Sequence, residues 1–214
     1  AAEVDSYFMG TPAAGSRLFA FAEGICSGNT SDWQMRVTTT TDTLEFDDDD
    51  GDVAFGNSGF EPTVAGKILT GAPTYVAMDP FSTTVLSEPY RLFAVVQPPI
   101  GSAVSEIEGN DTAGTANSIG PYVKGNMSSS ADVDMFSFTA TAGQIIFISA
   151  DCDPTKDNTA VDLTLALLNS GGTTLVSVNG STTTSVLTPL GIGTLLSTTP
   201  SFPAESLIFR APST

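Results

Sequence analysis

Carboxylates are the residues of this chain best placed to do chemistry, and they are bunched. The stretch TLEFDDDDGDVAFGNSGF, residues 43–60, carries Asp47, Asp48, Asp49 and Asp50 in succession, with Asp52 after one glycine. Two carboxylates about 6 Å apart repel by roughly 0.7 kcal/mol even in bulk water. Such a run is either held by a cation or fully solvated. It is not an EF-hand loop. With Gly51 at the sixth loop position the first falls on Phe46, where an aspartate ligand is required. A turn held by calcium and a solvated loop tip both stand as readings.

Other catalytic chemistry is thinly represented. The chain has no histidine, which removes Ser-His-Asp and Cys-His arrangements and the common zinc sites. It has neither a P-loop nor a GxSxG motif. DTAG at 111–114 echoes an aspartic-protease loop only superficially, because it lies inside an acidic opening segment. Paired carboxylates leave glycosidase chemistry open on counting alone. The expectation is a protein that is not an enzyme.

The whole chain, 214 residues, carries Lys+Arg 7 against Asp+Glu 24, a net charge of −17. A surface this acidic repels nucleic acid and suits hard divalent cations, above all calcium. The composition is 41% hydrophobic and 14% charged. Thr, Ser and Gly stand where helical proteins use Lys, Glu, Gln and Leu, which favours strands and turns. The apolar runs RLFAFAEGI and QIIFISA have strand length and are rich in β-branched or aromatic residues. The fold class expected is all-β. No apolar stretch reaches the 18 residues of a membrane span. The opening AAEVDSYF reads as a processed or cropped terminus, and the scarcity of lysine fits an exported, extracellular protein.

The elements that must position the acids come in two copies. AEVDSYFMGTPAAGSRLFAFAEGICSG, residues 2–28, is similar to ADVDMFSFTATAGQIIFISADCDPT, residues 131–155. In both, an acidic residue, Val and Asp precede an aromatic strand, and a Gly-led turn leads into an apolar strand. Asp5 corresponds to Asp134, Gly15 to Gly143 and Cys26 to Cys152. A repeat this long means tandem domains rather than a solenoid. QPPIGSAVS, residues 97–105, supplies the boundary, because Pro98 and Pro99 cannot donate to a sheet ladder. The domains expected are 1–98 and 106–214, joined by a linker at 99–105.

With both halves in view the pattern resembles the bacterial pre-peptidase C-terminal (PPC) domain, a small jelly-roll-like β-sandwich appended to many secreted proteases. EIEGNDTAGTANSI, VKGNMSSSADVDMFSF, AGQIIFISA and VDLTLALLNSGGTTL carry the resemblance in the second half. DTLEFDDDDGD, APTYVAM and EPYRLFAVV carry it in the first. The first half lacks the acidic opening, and the second lacks the closing strands. Either the chain is a piece of a longer one, or a neighbouring copy completes each open edge.

The resemblance implies a calcium site. Carried over position by position, the ligands are Glu106, Glu108, Asn110, Asp111, Asp132 and Asp134. Alternate residues of an extended segment point to one side, so Glu106, Glu108 and Asn110 converge, as do Asp132 and Asp134. Glu3 and Asp5 are the first-half counterparts of Asp132 and Asp134. They would join a site completed by another chain. Cys26 and Cys152 fall in different halves and read either as free thiols or as a bridge.

Two functions follow from these expectations. One is a calcium-stabilised extracellular structural protein that assembles head to tail with copies of itself into a filament or surface fibre. The other is a pair of binding modules from a secreted protease, holding the enzyme on extracellular matrix or polysaccharide.

Overall fold

The computed structural model describes residues 3–24, 32–47, 62–81, 89–99, 101, 103–150, 162–179 and 205–212. All statements below concern those residues. They are all-β, with no α-helix among them. The expected fold class is therefore observed, and the strand-forming composition is its cause.

The first seven strands are β1 (Asp5–Phe8), β2 (Arg17–Gly24), β3 (Trp33–Thr38), β4 (Thr43–Asp47), β5 (Thr63–Ile68), β6 (Tyr75–Pro80) and β7 (Tyr90–Gln97). They form two antiparallel sheets, ordered β1-β6-β3-β4 and β5-β2-β7. Period-two alternation sends Trp33, Met35 and Val37 of β3, with Val76 and Met78 of β6, toward the second sheet. They meet Leu18, Ala20 and Ala22 of β2 there, forming the main apolar core.

Eight further strands follow. They are β8 (Val104–Ser105), β9 (Asn117–Ser118), β10 (Val123–Lys124), β11 (Phe136–Ser137), β12 (Ile145–Ala150), β13 (Leu165–Leu168), β14 (Thr174–Val178) and β15 (Glu205–Arg210). Val104 and Ser105, at the end of the expected linker, pair in parallel with β10, and β9 pairs in parallel with β11. Antiparallel pairs join β12 to β15 and β13 to β14. A smaller core lies between these last two pairs, around Leu167 and Leu207 with Ile146, Ile148 and Phe209.

The β5-β2-β7 sheet is covered on both faces. Phe19 and Phe21 point away from the main core and are buried nonetheless. Phe19 meets Phe147 of β12 at 6.0 Å between ring centroids, and Phe21 stacks on Phe93 at 6.2 Å. Arg210 of β15 lies over the Phe93 ring and donates to Glu23 at 2.8 Å, while Arg91 approaches the other Glu23 oxygen at 3.4 Å. This two-sided burial explains why RLFAFA is apolar at every position but its first, the pattern of a strand with no solvent face.

The repeated turn is present in the backbone. Ser16 N–H donates to Ala13 O, and Gln144 N–H to Thr141 O, each at 3.0 Å. Gly15 and Gly143 occupy the third position of the two turns with φ of 87° and 80°, where a type II turn requires positive φ. The next bonds repeat as well. Gly15 N–H donates to Leu69 O and Leu69 N–H to Ser16 O; Gly143 N–H donates to Ala211 O and Ala211 N–H to Gln144 O. The strand paired beside each turn is β5 in one case and β15 in the other.

Candidate metal centre

Glu106 and Glu108 flank the outward-pointing Ile107, which is 76% exposed. Asp132 and Asp134 flank Val133 in the same way. Local backbone bonds bring the two segments together. Glu106 N–H donates to Lys124 O and Met135 N–H to Asn110 O, each at 3.0 Å. The Ile107 N–H donates to Asn117 Oδ1 at 2.6 Å, which fixes the acidic segment beside β9.

The result is a cluster. One carboxylate oxygen from each of Glu108, Asp132 and Asp134 lies within 4.8 Å of the other two. Two oxygens on opposite sides of one calcium ion, each at 2.3–2.6 Å, stand about 5 Å apart. The spacing therefore fits shared coordination. Glu106 faces Asp134 and is its strongest charged neighbour. Burial comes first, then the contact with Glu106, in pushing the Asp134 carboxyl up from 3.8 to about 6. Asp132 and Glu108 add to the same push.

Several polar atoms here have no partner within the protein. Oε2 of Glu106, Oδ1 of Asp134, and both Oδ1 and Nδ2 of Asn110 are buried and make no hydrogen bond. Asn110 is 0% exposed. A buried polar group left unbonded costs about 1–3 kcal/mol, so a cluster of them calls for a ligand. Carboxylate and amide oxygens are what calcium takes, and it takes six to eight. The carboxylates of Glu106, Glu108, Asp132 and Asp134 are donors of the kind that ion takes.

The segment 125–128 wraps the acids and was not singled out by sequence reasoning. Asn126 N–H donates to Glu106 Oε1, and Ser128 N–H to Asp132 Oδ2. The bonds from Ser128 hold the Asp132 carboxyl below the ordinary carboxylate range. A Cβ at Gly125 would collide with the Glu106 carboxylate, so glycine leaves the space that the acid occupies. The signal lay in VKGNMSSS, where a glycine precedes a polar run, but nothing in the sequence says which acid it meets.

The remaining predicted ligands lie elsewhere. Asp111 is exposed and outside the cluster. Glu3 is exposed as well. Asp5 accepts a hydrogen bond from Tyr90 Oη at 2.8 Å, and Tyr90 meets Tyr7 Oη at 2.7 Å. Burial first, then these bonds, raises the Tyr90 phenol. Asp47 accepts from Thr63 N–H at 2.5 Å and so ties β4 to β5. Asp48, Asp49 and Asp50 lie outside the described residues, as do Cys26 and Cys152.

No family model, curated protein or solved structure matches this chain.

Proposed function

We propose that the chain is a non-enzymatic, calcium-stabilised structural protein of the cell exterior, built from PPC-like β-sandwiches. One observation carries the reading: the carboxylates of Glu108, Asp132 and Asp134 converge, with Glu106 against Asp134, in a part of the chain whose described residues join no apolar cluster. A cation there does the work that leucine and valine do elsewhere. The lack of histidine supports a role without catalysis.

Assembly belongs to the same reading. Strand β1 lies at the edge of its sheet, and an edge strand is a template for strand addition. A head-to-tail contact that does not close makes a filament. Titration calorimetry with calcium, followed by negative-stain imaging with calcium and with chelator, tests both parts. Stoichiometric calcium uptake and filaments that loosen on chelation are expected. A chain that takes up no calcium removes the reading, and monomers in both conditions remove its assembly part.

A further inference from the structure

The two sheets of residues 3–99 are joined at one side by ionic contacts. Lys67 of β5 meets Glu45 of β4 at 3.1 Å, and Asp47 of β4 accepts from the Thr63 N–H of β5. At the other side they are joined by phenols. The edge strands there are β1 and β7, paired with β6 and β2 respectively. Tyr7 of β1 stands opposite Val76, a core residue, so its ring turns toward the second sheet. Its Oη meets the Tyr90 Oη of β7 at 2.7 Å, with the ring centroids 6.4 Å apart and the planes at 86°.

The protons of this contact run in one direction. Tyr90 Oη donates to Asp5 Oδ2 at 2.8 Å. A phenol has one proton to give, so the Tyr90 oxygen accepts from Tyr7, and the order is Tyr7 to Tyr90 to Asp5. The Tyr90 phenol is raised, by burial above all, and is therefore un-ionised at neutral pH. An electron leaves such a ring most easily together with its proton, and the Asp5 carboxylate is in place to take that proton. The Tyr90 ring is held by Trp33, which meets it edge-on at 5.7 Å and is itself buried. Tyr7 is 40% exposed on its edge strand and has room to turn.

We propose that Tyr7 and Tyr90 form an oxidative cross-linking site, coupled into dityrosine by a one-electron oxidant of the haem-peroxidase class fed with hydrogen peroxide. Each ring gives up one electron and one proton, the Tyr90 proton by way of Asp5 and the Tyr7 proton to water. The two phenoxyl radicals couple through a ring carbon ortho to each oxygen, and one C–C bond forms. The hydrogens on those carbons then move to the oxygens and restore both phenols. The chain loses two hydrogens in all, and one hydrogen peroxide becomes two waters. Each ortho carbon is bonded to the carbon that bears the hydroxyl, so rotation of the Tyr7 ring about the existing contact brings the pair together. The bond would join residues 83 apart, close a long loop in the unfolded chain and pin the edge strand β1 to β7. It uses no residue of the metal centre.

Treatment of the dilute, purified chain with a haem peroxidase and hydrogen peroxide tests this. The expected product is a monomer lighter by two hydrogens, with the blue fluorescence of dityrosine, whose proteolytic fragments are joined through Tyr7 and Tyr90 in tandem mass spectrometry. Tyr7→Phe and Tyr90→Phe should each abolish it, and Tyr75→Phe should leave its yield unchanged. Asp5→Asn keeps a hydrogen-bond acceptor but removes the base, and should slow formation roughly tenfold. The cross-linked chain should melt several degrees above the untreated one. Circular dichroism checks that each variant folds. A monomer that loses no hydrogens overturns the proposal, as do links that map to Tyr75 or Tyr122, links found only between chains, or a yield that Tyr7→Phe leaves intact.

Discussion

Residues 3–99 and residues 103–140 solve the same problem with opposite materials. The first region buries Leu18, Trp33, Met35, Val37, Val76 and Met78 between two sheets. In the second, every residue is described, and the one that is buried is Asn110. None of its residues joins either apolar cluster, and its strands are two-residue parallel pairs. Water expelled from apolar surface stabilises the first region without help. The second gathers like charge, which opposes folding, and under the proposed function a cation compensates it. On the proposed function, one chain holds a part whose stability is intrinsic and a part whose stability is conditional.

Damage to the intrinsic part should have the largest effect. Phe21→Ala removes a fully buried ring stacked on Phe93 and is expected to cost about 3–5 kcal/mol. Denaturant titration followed by Trp33 fluorescence measures it, and the loss should be the same with calcium and with chelator. Calcium itself comes next. At a thousandfold excess over its dissociation constant it should add about 4 kcal/mol to the stability of the state that binds it. Hydrogen exchange should slow in 103–140 and change little in β2, β3 and β6. Asp132→Asn with Asp134→Asn should abolish the difference. Equal slowing in both regions would break the distinction.

Gly125→Ala pushes the Glu106 carboxylate aside and should weaken calcium binding by roughly tenfold in calorimetry, with the sheets untouched. Tyr90→Phe removes the hydroxyl that joins Asp5 and Tyr7 and should cost about 1 kcal/mol, independent of calcium. The pH dependence is the finest probe. Without metal, the folded chain holds the Asp134 proton up to about 6, against 3.8 ordinarily. This carboxyl therefore favours folding most below the ordinary value and ceases to do so as pH rises through 6. The chelated protein should melt a few degrees higher at pH 5 than at pH 7, an increment that Asp134→Asn removes. With calcium bound the order should reverse, because protons and metal compete for one group.

Strand-level features were legible in the sequence wherever period two governs. Glu106 with Glu108, and Asp132 with Asp134, sit two apart; the structure half-buries Glu106, Asp132 and Asp134 and leaves Glu108 exposed at the mouth of the cluster. Asp111 follows Asn110 by one residue and faces solvent by the same rule. The repeat fixed the Gly15 and Gly143 turns but not what stands opposite the acids. Asp134 faces Glu106, whereas Asp5, its counterpart, faces Tyr90. Such pairings depend on strands distant in sequence, where no local pattern reaches. The wrapping of Glu106 and Asp132 by residues 125–128 was hidden for the same reason.

The double covering of β2 has a consequence for how its alignment is chosen. A strand with one wet face is kept in step by polarity, since slipping by one residue would turn its greasy side outward. Here both sides are dry, and that cue is missing. What differs is bulk: after Leu18, the side toward β3 and β6 carries only the methyl groups of Ala20 and Ala22, while the opposite side carries the rings of Phe19 and Phe21. A slip would force rings into methyl-sized slots and leave voids where the rings had been, so volume sets the alignment of this strand.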